Sequence, residues 1–400
     1  MWEQIRSNQI RSVILVSAMG ILLLLVGFGL GYAFGNGIVG LVIALVIWAI
    51  MNLVAYFQGD SILLSMSRAM KIGPDDHPRL YNVVDEMKIS SGLEKMPDVY
   101  IIDDPAPNAF ATGRDPTKAS VAVTSGLLEK LNRDELQGVI GHEVSHIKNR
   151  DVLLMTICSV LLGTIVILAW YGSRALIFSG GGRRSSSRGG GQAQLIIIAA
   201  AIILIILAPI FAQLIYFAIS RKREYMADAS SALYTRYPEG LASALEKISA
   251  STYQLKSANQ ATAPMYISNP FRKKGRAATD LTSTHPPTSE RIRILRSMAG
   301  GSFADYESAY RKVHKGGAGI MPATALVGTD TVQFRTPASE AAVGKPEPGR
   351  MERTREVSDL MWQKSGYKII TCDCGTKLKV PANLGRASVK CPHCGRAHNI

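Results

Sequence analysis

Residues 139–151 read VIGHEVSHIKNRD, and three of them, His142, Glu143 and His146, have the types and spacing for metal-assisted hydrolysis. Positions i and i+4 of a helix share a face, so two imidazoles can reach one zinc ion while the glutamate projects beside them toward a water. A catalytic zinc also needs a third protein ligand and one open position. A third histidine close by in sequence would call for glycine at 149 and histidine at 152. The chain has Asn149 and Val152, which excludes that arrangement.

The elements that must hold these side chains start with a membrane. The chain has 400 residues and is 47% hydrophobic against 19% charged, and the apolar residues are concentrated. No charged residue occurs in Ser12–Gly59, Val152–Ser173 or Gly189–Ser220. About 20 apolar residues cross a hydrocarbon core of ~30 Å. The first block is too long for one span and breaks at GYAFGNG, so four spans are expected, near 12–34, 38–57, 152–173 and 194–219. A cleaved signal peptide does not fit the first, because its apolar run is too long. Four spans put the N-terminus, residues 58–151 and everything after 220 on one face. Basic residues near the span ends, among them Arg6, Arg11, Lys148, Arg150, Arg221 and Arg223, make that face cytoplasmic. The far connection, with Arg174, Arg183, Arg184 and Arg188, runs against this assignment but is outnumbered.

That topology narrows the search for the third ligand. Spans three and four form a hairpin, so the residues just before Val152 and just after Ser220 emerge together. Glu224 stands just past that exit, and Asp228, at i+4, is placed to accept a hydrogen bond from a ligand histidine. The competing reading of Glu224 is an exposed carboxylate pairing with Arg221 or Arg223.

Around these residues, HPRLYNVVDEMKISSGL reads as a helix and DVYIIDD and ASVAVTSGLL as strands. Asn132 and Glu135 form a candidate capping box for the helix that carries HEVSH, which has Leu136, Val139, Ile140, Val144 and Ile147 at helical spacing. Beyond span four, SRKREYMADASSALY, PEGLASALEKISAS and STHPPTSERIRILRSMA supply further helices. The expected organisation is two spans in 1–57, the first part of a catalytic domain in 58–151, a membrane hairpin in 152–219 and the second part in 220–314. A flexible linker is expected over 315–365, rich in Gly, Pro, Ala and Thr, and a separate module over 366–400.

That last module holds four of the five cysteines. Cys372, Cys374, Cys391 and Cys394 make two close pairs that resemble a zinc ribbon with a structural second zinc. The first pair, Cys-x-Cys, is one residue tighter than the usual knuckle, and a redox-active thiol pair is the alternative. The net charge of +14 is scattered through the polar segments, with FRKKGR (271–276) its one dense run, so a lipid headgroup contact or solvated loop is expected there and no nucleic acid.

HEVSH followed by SRKREYMADA and STHPPTSERI resembles the HtpX family of membrane zinc peptidases, relatives of the CAAX prenyl proteases, over roughly residues 1–300. The resemblance implies a mainly α membrane protein of the inner membrane, with four transmembrane helices and a cytosolic gluzincin α+β protease domain containing a small sheet. Its implied activity is endopeptidase cleavage of misfolded or damaged membrane proteins in the stress response. It implies zinc binding by His142, His146 and Glu224, with Glu143 as general base. His285 and Arg291 match positions near the active site and are candidates to stabilise the oxyanion. The same stretch also reads as an ordinary helix start capped by Thr288 or Ser289. PNAFATGRDPTKASVAVTSG resembles the family's edge-strand region, which makes Asn108, Ala109 and Phe110 candidates for substrate backbone contacts or, alternatively, plain hairpin residues. Asp151 reads as a helix-end residue. A function from another class is a membrane-anchored adaptor that recruits partners through its ribbon.

Overall fold

The computed structural model describes residues 2–179, 203, 206–208, 210–212, 221–256, 265–268, 285–317, 319–326, 332–337, 347–384 and 388–399. Helices α1 (Trp2–Ala33) and α2 (Gly37–Met66) form a hairpin whose turn sits at Gly35, with φ +105°, and Asn36, which caps α2 by accepting from the amides of Ile38 and Val39. The break read at GYAFGNG is this turn. The two helices touch backbone to backbone: a β-carbon on Gly31 would lie 2.6 Å from Cα of Gly40. Apolar helices in lipid gain little from burial, so close approach at small residues supplies the van der Waals contact that holds them together. Helix α6 (Asp151–Ser179) packs on this hairpin, setting Cys158, Leu161, Leu162 and Ile165 against Leu15, Met19, Leu23 and Val26. The outward faces expose Ile14, Ile21, Val42, Val46 and Leu53.

Among the described residues three helices are long and apolar enough to cross a membrane: Val13–Tyr32, Gly37–Met66 and Asp151–Tyr171. The expected fourth span, 194–219, lies mostly outside the described residues. Residues 203, 206–208 and 210–212 are helical, and Ala208 and Ala212 are buried with α1 and α6.

Between α2 and α6 the chain forms β1 (Met70–Ile72), α3 (Pro78–Ser91), β2 (Asp98–Ile102), β3 (Ala109–Asp115), β4 (Lys118–Thr124), α4 (Ser125–Lys130) and α5 (Arg133–Lys148). The sheet order is β1-β2-β4-β3, with β2 and β4 parallel and the outer pairs antiparallel, so β3 is an edge strand. Strand β1 went unread in the sequence because three residues are too few to show alternation. Helix α5 begins with the expected capping box, Asn132 and Glu135 each accepting from the other's backbone amide. Its Leu136, Val139, Ile140, Val144 and Ile147 are fully buried, so the candidate ligand helix runs through the centre of the main core.

Further along the chain come the helical residues 221–235 (α7), α8 (Pro238–Ser249), α9 (Thr288–Arg296) and α10 (Phe303–Val313). Helix α8 seats on α5 where both carry glycine; a β-carbon on Gly138 would lie 2.6 Å from the Leu241 nitrogen.

The expected linker over 315–365 is instead partly structured and fastened to the domain. Glu307 accepts from the amides of Ile320 and Met321, and residues 350–364 form α11 (Arg350–Lys364), whose Val357 and Leu360 join the main core. This stripe is a few apolar residues among charged neighbours, too narrow to register as a period. The terminal module consists of two antiparallel hairpins, β5 (Tyr367–Thr371) with β6 (Lys377–Pro381) and β7 (Ser388–Lys390) with β8 (Ala397–Asn399). Its buried apolar cluster is Cys372, Leu378, Val380 and Cys391, too small to fold such a module unaided.

Candidate metal centre

Helix α5 presents His142 and His146 one turn apart, and α7 brings Glu224 to them. Nε2 of His142 lies 3.3 Å from Nε2 of His146, and the two nitrogens lie 3.6 and 3.5 Å from the Glu224 carboxylate oxygens. Tetrahedral coordination with bonds of about 2.0–2.1 Å requires donor atoms about 3.3–3.4 Å apart, so this triangle fits a zinc ion. The three residues are only 1%, 4% and 1% exposed.

Each histidine turns its other nitrogen to a carboxylate. Nδ1 of His142 lies 3.0 Å from Oδ1 of Asp228, and Nδ1 of His146 lies 3.2 Å from Oδ2 of Asp151. A carboxylate only accepts, so both Nδ1 atoms carry a proton, which leaves the two Nε2 atoms as the ones that would give their lone pairs to a metal. Each carboxylate is in turn met by an arginine. Arg291 donates through Nε and Nη2 to the two oxygens of Asp228 at 2.8 and 2.6 Å, and Nε of Arg223 lies 3.5 Å from Asp151 Oδ1. Asp151 reaches His146 because α5 stops at Lys148 and Arg150 takes a left-handed conformation, φ +60°, that folds the start of α6 back over the helix end.

The charges are arranged for a cation. Burial opposes ionisation of Glu224, but the His285 charge and hydrogen bonds from His142, His146 and His285 hold its carboxyl well below the usual range. Burial likewise opposes protonation of His146, and the hydrogen bonds to Asp151 and Glu224 push it up to about 10. Burial opposes the Asp228 charge too, and Arg291 beside it keeps its carboxyl low. Glu143 differs. Burial drives its carboxyl up, and its Oε1, inside a residue only 2% exposed, has no hydrogen-bond partner among the described residues.

The two oxyanion candidates are both buried here, in different settings. His285 donates from Nδ1 to Glu224 Oε2 at 2.7 Å, while the Arg291 guanidinium is engaged by Asp228 and by the Ile267 carbonyl at 3.3 Å. The cap of α9 falls at Pro287, with no side-chain capping bond from Thr288 or Ser289. The edge-strand candidates are covered by the chain itself. The Ile267 amide donates to the Ala109 carbonyl at 3.0 Å, the Asn108 side chain bonds the backbone of Ser268 in both directions, and Phe110 meets Tyr266 edge-on at 5.1 Å.

A second cluster gathers Cys372, Cys374, Cys391 and Cys394, whose sulfurs lie within 4.8 Å of one another. Cys372 and Cys394 are 3.4 Å apart and Cys374 and Cys391 3.7 Å. Four thiolates at about 2.3 Å from zinc would stand about 3.8 Å apart, close to this spacing. Gly375 and Gly395, with φ +83° and +75°, supply the left-handed turns that bring each pair together despite the short first spacing.

Sequence reasoning did not find Asp151, Arg223 or the cover from residues 265–268. The signal for the first two was an acid and a base at the two ends of the expected third and fourth spans, charges costly to bury unless they meet.

The family described as Peptidase family M48 matches residues 74–299. The chain is 46% identical over 297 residues to a protein named "Protease HtpX homolog" from Dictyoglomus turgidum, covering 74% of this chain and 94% of that one. It is 42% identical over 301 residues to a protein of the same name from Lactobacillus helveticus, covering 74% and 100%. The crystal structure of S. mikatae Ste24p aligns with a TM-score of 0.41 at 19% identity, over 74% of this chain and 67% of that chain.

Proposed function

The chain belongs to peptidase family M48 and is a membrane metallopeptidase, and on that premise we propose that it is a zinc endopeptidase of the inner membrane that cleaves unfolded or damaged membrane proteins on the cytosolic side. The observation that carries this reading is the buried carboxylate of Glu143, whose Oε1 has no hydrogen-bond partner among the described residues, beside the three converging donors of His142, His146 and Glu224. When bound there, a zinc ion supplies Lewis acidity and brings the ionisation of a water to about pH 7.

The protein's own groups do the rest. Glu143, made more basic by burial, takes the water's proton on its carboxylate and passes it to the leaving amine. Asp228 and Asp151 keep the histidines in the donating tautomer. His285, standing on Glu224, is the candidate donor to the developing oxyanion, and Arg291, held in a fork by Asp228, has the task of fixing that aspartate. Substrate would pair with the outer edge of β3. Since residues 265–268 take the end at Asn108 and Ala109, pairing proceeds through Ala111 and Gly113 or displaces them. The site begins where a span begins, at Asp151, which favours substrates that emerge from the bilayer.

We assign the four cysteines to a second, structural zinc, which would supply the folding energy the ribbon's small core lacks. Metal per purified chain should be about two in the wild type and about one in both Glu224→Ala and the Cys372/Cys374 double variant. The decisive test of function is degradation of a loosely folded protein by wild type and by Glu143→Ala, with metal content measured in both. Full activity in the metal-loaded variant would refute the proposed chemistry.

A further inference from the structure

The family match ends at residue 299, yet a residue beyond it bonds to both helices that carry the candidate ligands. Nη2 of Arg335 donates to Asp134 Oδ1 and Gln137 Oε1, both at 2.6 Å, at the start of α5. Its Nε donates to the Thr235 carbonyl at 2.8 Å and its backbone amide to the Arg236 carbonyl at 3.0 Å, at the end of α7. The guanidinium also lies 5.2 Å from the centre of the Tyr237 ring. Asp134, Gln137 and Thr235 are all buried, so these bonds are shielded from water. The segment is itself fastened, the Gly301 amide donating to the Val332 carbonyl at 2.8 Å.

One planar fork therefore joins the N-terminal end of α5 to the C-terminal end of α7. Those two helices supply His142 and His146 on one side and Glu224 on the other, and metal sites tolerate departures of only about 0.2 Å in ligand distance. Nearer the centre the helices already bond directly, Ser231 Oγ to the Gly138 carbonyl at 2.7 Å and His142 Nδ1 to Asp228 Oδ1 at 3.0 Å; Arg335 ties their far ends, where a shift alters the angle between them most. We propose that Arg335 is a positioning residue for the catalytic metal site, a staple from the C-terminal extension that sets the spacing of α5 and α7 and thereby the affinity of the His142, His146 and Glu224 site. The proposal rests on the reading of those three residues as ligands. Arginine is required because a lysine cannot make three bonds in a fixed plane.

The test is titration of the full chain in detergent with cobalt(II), comparing wild type, Arg335→Ala and Arg335→Lys. The thiolate site reports through sulfur-to-cobalt charge-transfer absorption and the imidazole and carboxylate site through ligand-field absorption that Glu224→Ala removes. We expect both substitutions to weaken the second signal's affinity by about tenfold, the lower end of the usual cost of losing an outer-shell partner, and to leave the charge-transfer signal unchanged. Equal affinity in wild type and Arg335→Lys overturns the proposal, as does an equal loss at both sites, which would mark Arg335 as a general stabiliser. If Arg335→Ala does not fold, Arg335→Lys carries the comparison alone. A wild type with no Glu224-dependent signal refutes the ligand assignment itself, an outcome distinct from a signal that is present and indifferent to Arg335.

Discussion

Asp151, the first residue of a helix long and apolar enough to cross a membrane, lies 3.2 Å from Nδ1 of His146, a candidate zinc ligand on the preceding helix. The junction between that apolar helix and the catalytic domain thus sets the tautomer of a candidate ligand. Loss of such a partner commonly costs 10–100-fold in metal affinity. Asp151→Ala should lose zinc to a chelator at a concentration that leaves the wild type loaded, and Asp151→Asn, which keeps an accepting oxygen, should fall between them. Zinc retention by Asp151→Ala equal to wild type would show that Asp151 serves only the helix end.

Two buried glutamates on α5 should respond to substitution in opposite ways. Glu135 is fully paired, with Asn132, Ser243 and Lys247 all donating to it, and Glu135→Gln should cost about 1.5–3 kcal/mol, the range for hydrogen bonds to charged groups. Glu143 Oε1 has no partner among the described residues, so Glu143→Gln should leave the metal-free protein at least as stable as wild type at pH 8 while lowering kcat by about 10²–10⁴-fold. Thermal melting of both variants checks the contrast, and a Glu143→Gln protein that melts well below wild type would show that the carboxylate has a structural role.

Gly138 offers a test in which sign alone decides. In a helix interior alanine is favoured over glycine by about 1 kcal/mol, so Gly138→Ala would stabilise α5 if the site were open. Here the added carbon would stand 2.6 and 2.8 Å from backbone atoms of Leu241, and backbone cannot rotate away. The substitution should destabilise by about 1–3 kcal/mol, as overpacking does. A raised melting temperature would mean that α8 yields freely.

The parts of the centre legible in the sequence were those governed by local rules or by topology. The spacing of His142, Glu143 and His146 and the capping pair Asn132 and Glu135 are properties of one helix. Glu224 was reached from the expected topology, although the sequence left its pairing with Arg221 or Arg223 open; the structure sets it beside both histidines. Arg335 was hidden because it meets Asp134 across 201 residues, and no local period encodes that contact. Asp151 was visible, but its reach back to His146 depends on the left-handed Arg150, a conformation no non-glycine residue announces. The cover on β3 was illegible for a similar reason: 265–268 is a short stretch whose contacts, with Asn108, Ala109 and Phe110 among them, lie far off in sequence. The helix over 350–364 was hidden by its composition, since Val357 and Leu360 are a few apolar residues among charged ones and follow a Gly- and Pro-rich stretch.

His77 makes the catalytic domain sensitive to mild acid at a point removed from the metal centre. Its Nδ1 accepts from the Leu80 amide at 3.1 Å and so caps α3 in the neutral form. Burial, with the Arg79 charge adding to it, lowers its pKa from 6.5 to about 4. Between those values the unfolded chain binds the proton and the folded one does not, so stability is full above about pH 6.5 and is lost as the pH falls toward 4. The loss attributable to this ring approaches about 3 kcal/mol over that interval. His77→Asn keeps an accepting cap but does not titrate. Melting temperatures in detergent at pH 7.5 and pH 5 should therefore differ less in the variant than in wild type, and identical differences in both would remove His77 as a source of acid sensitivity.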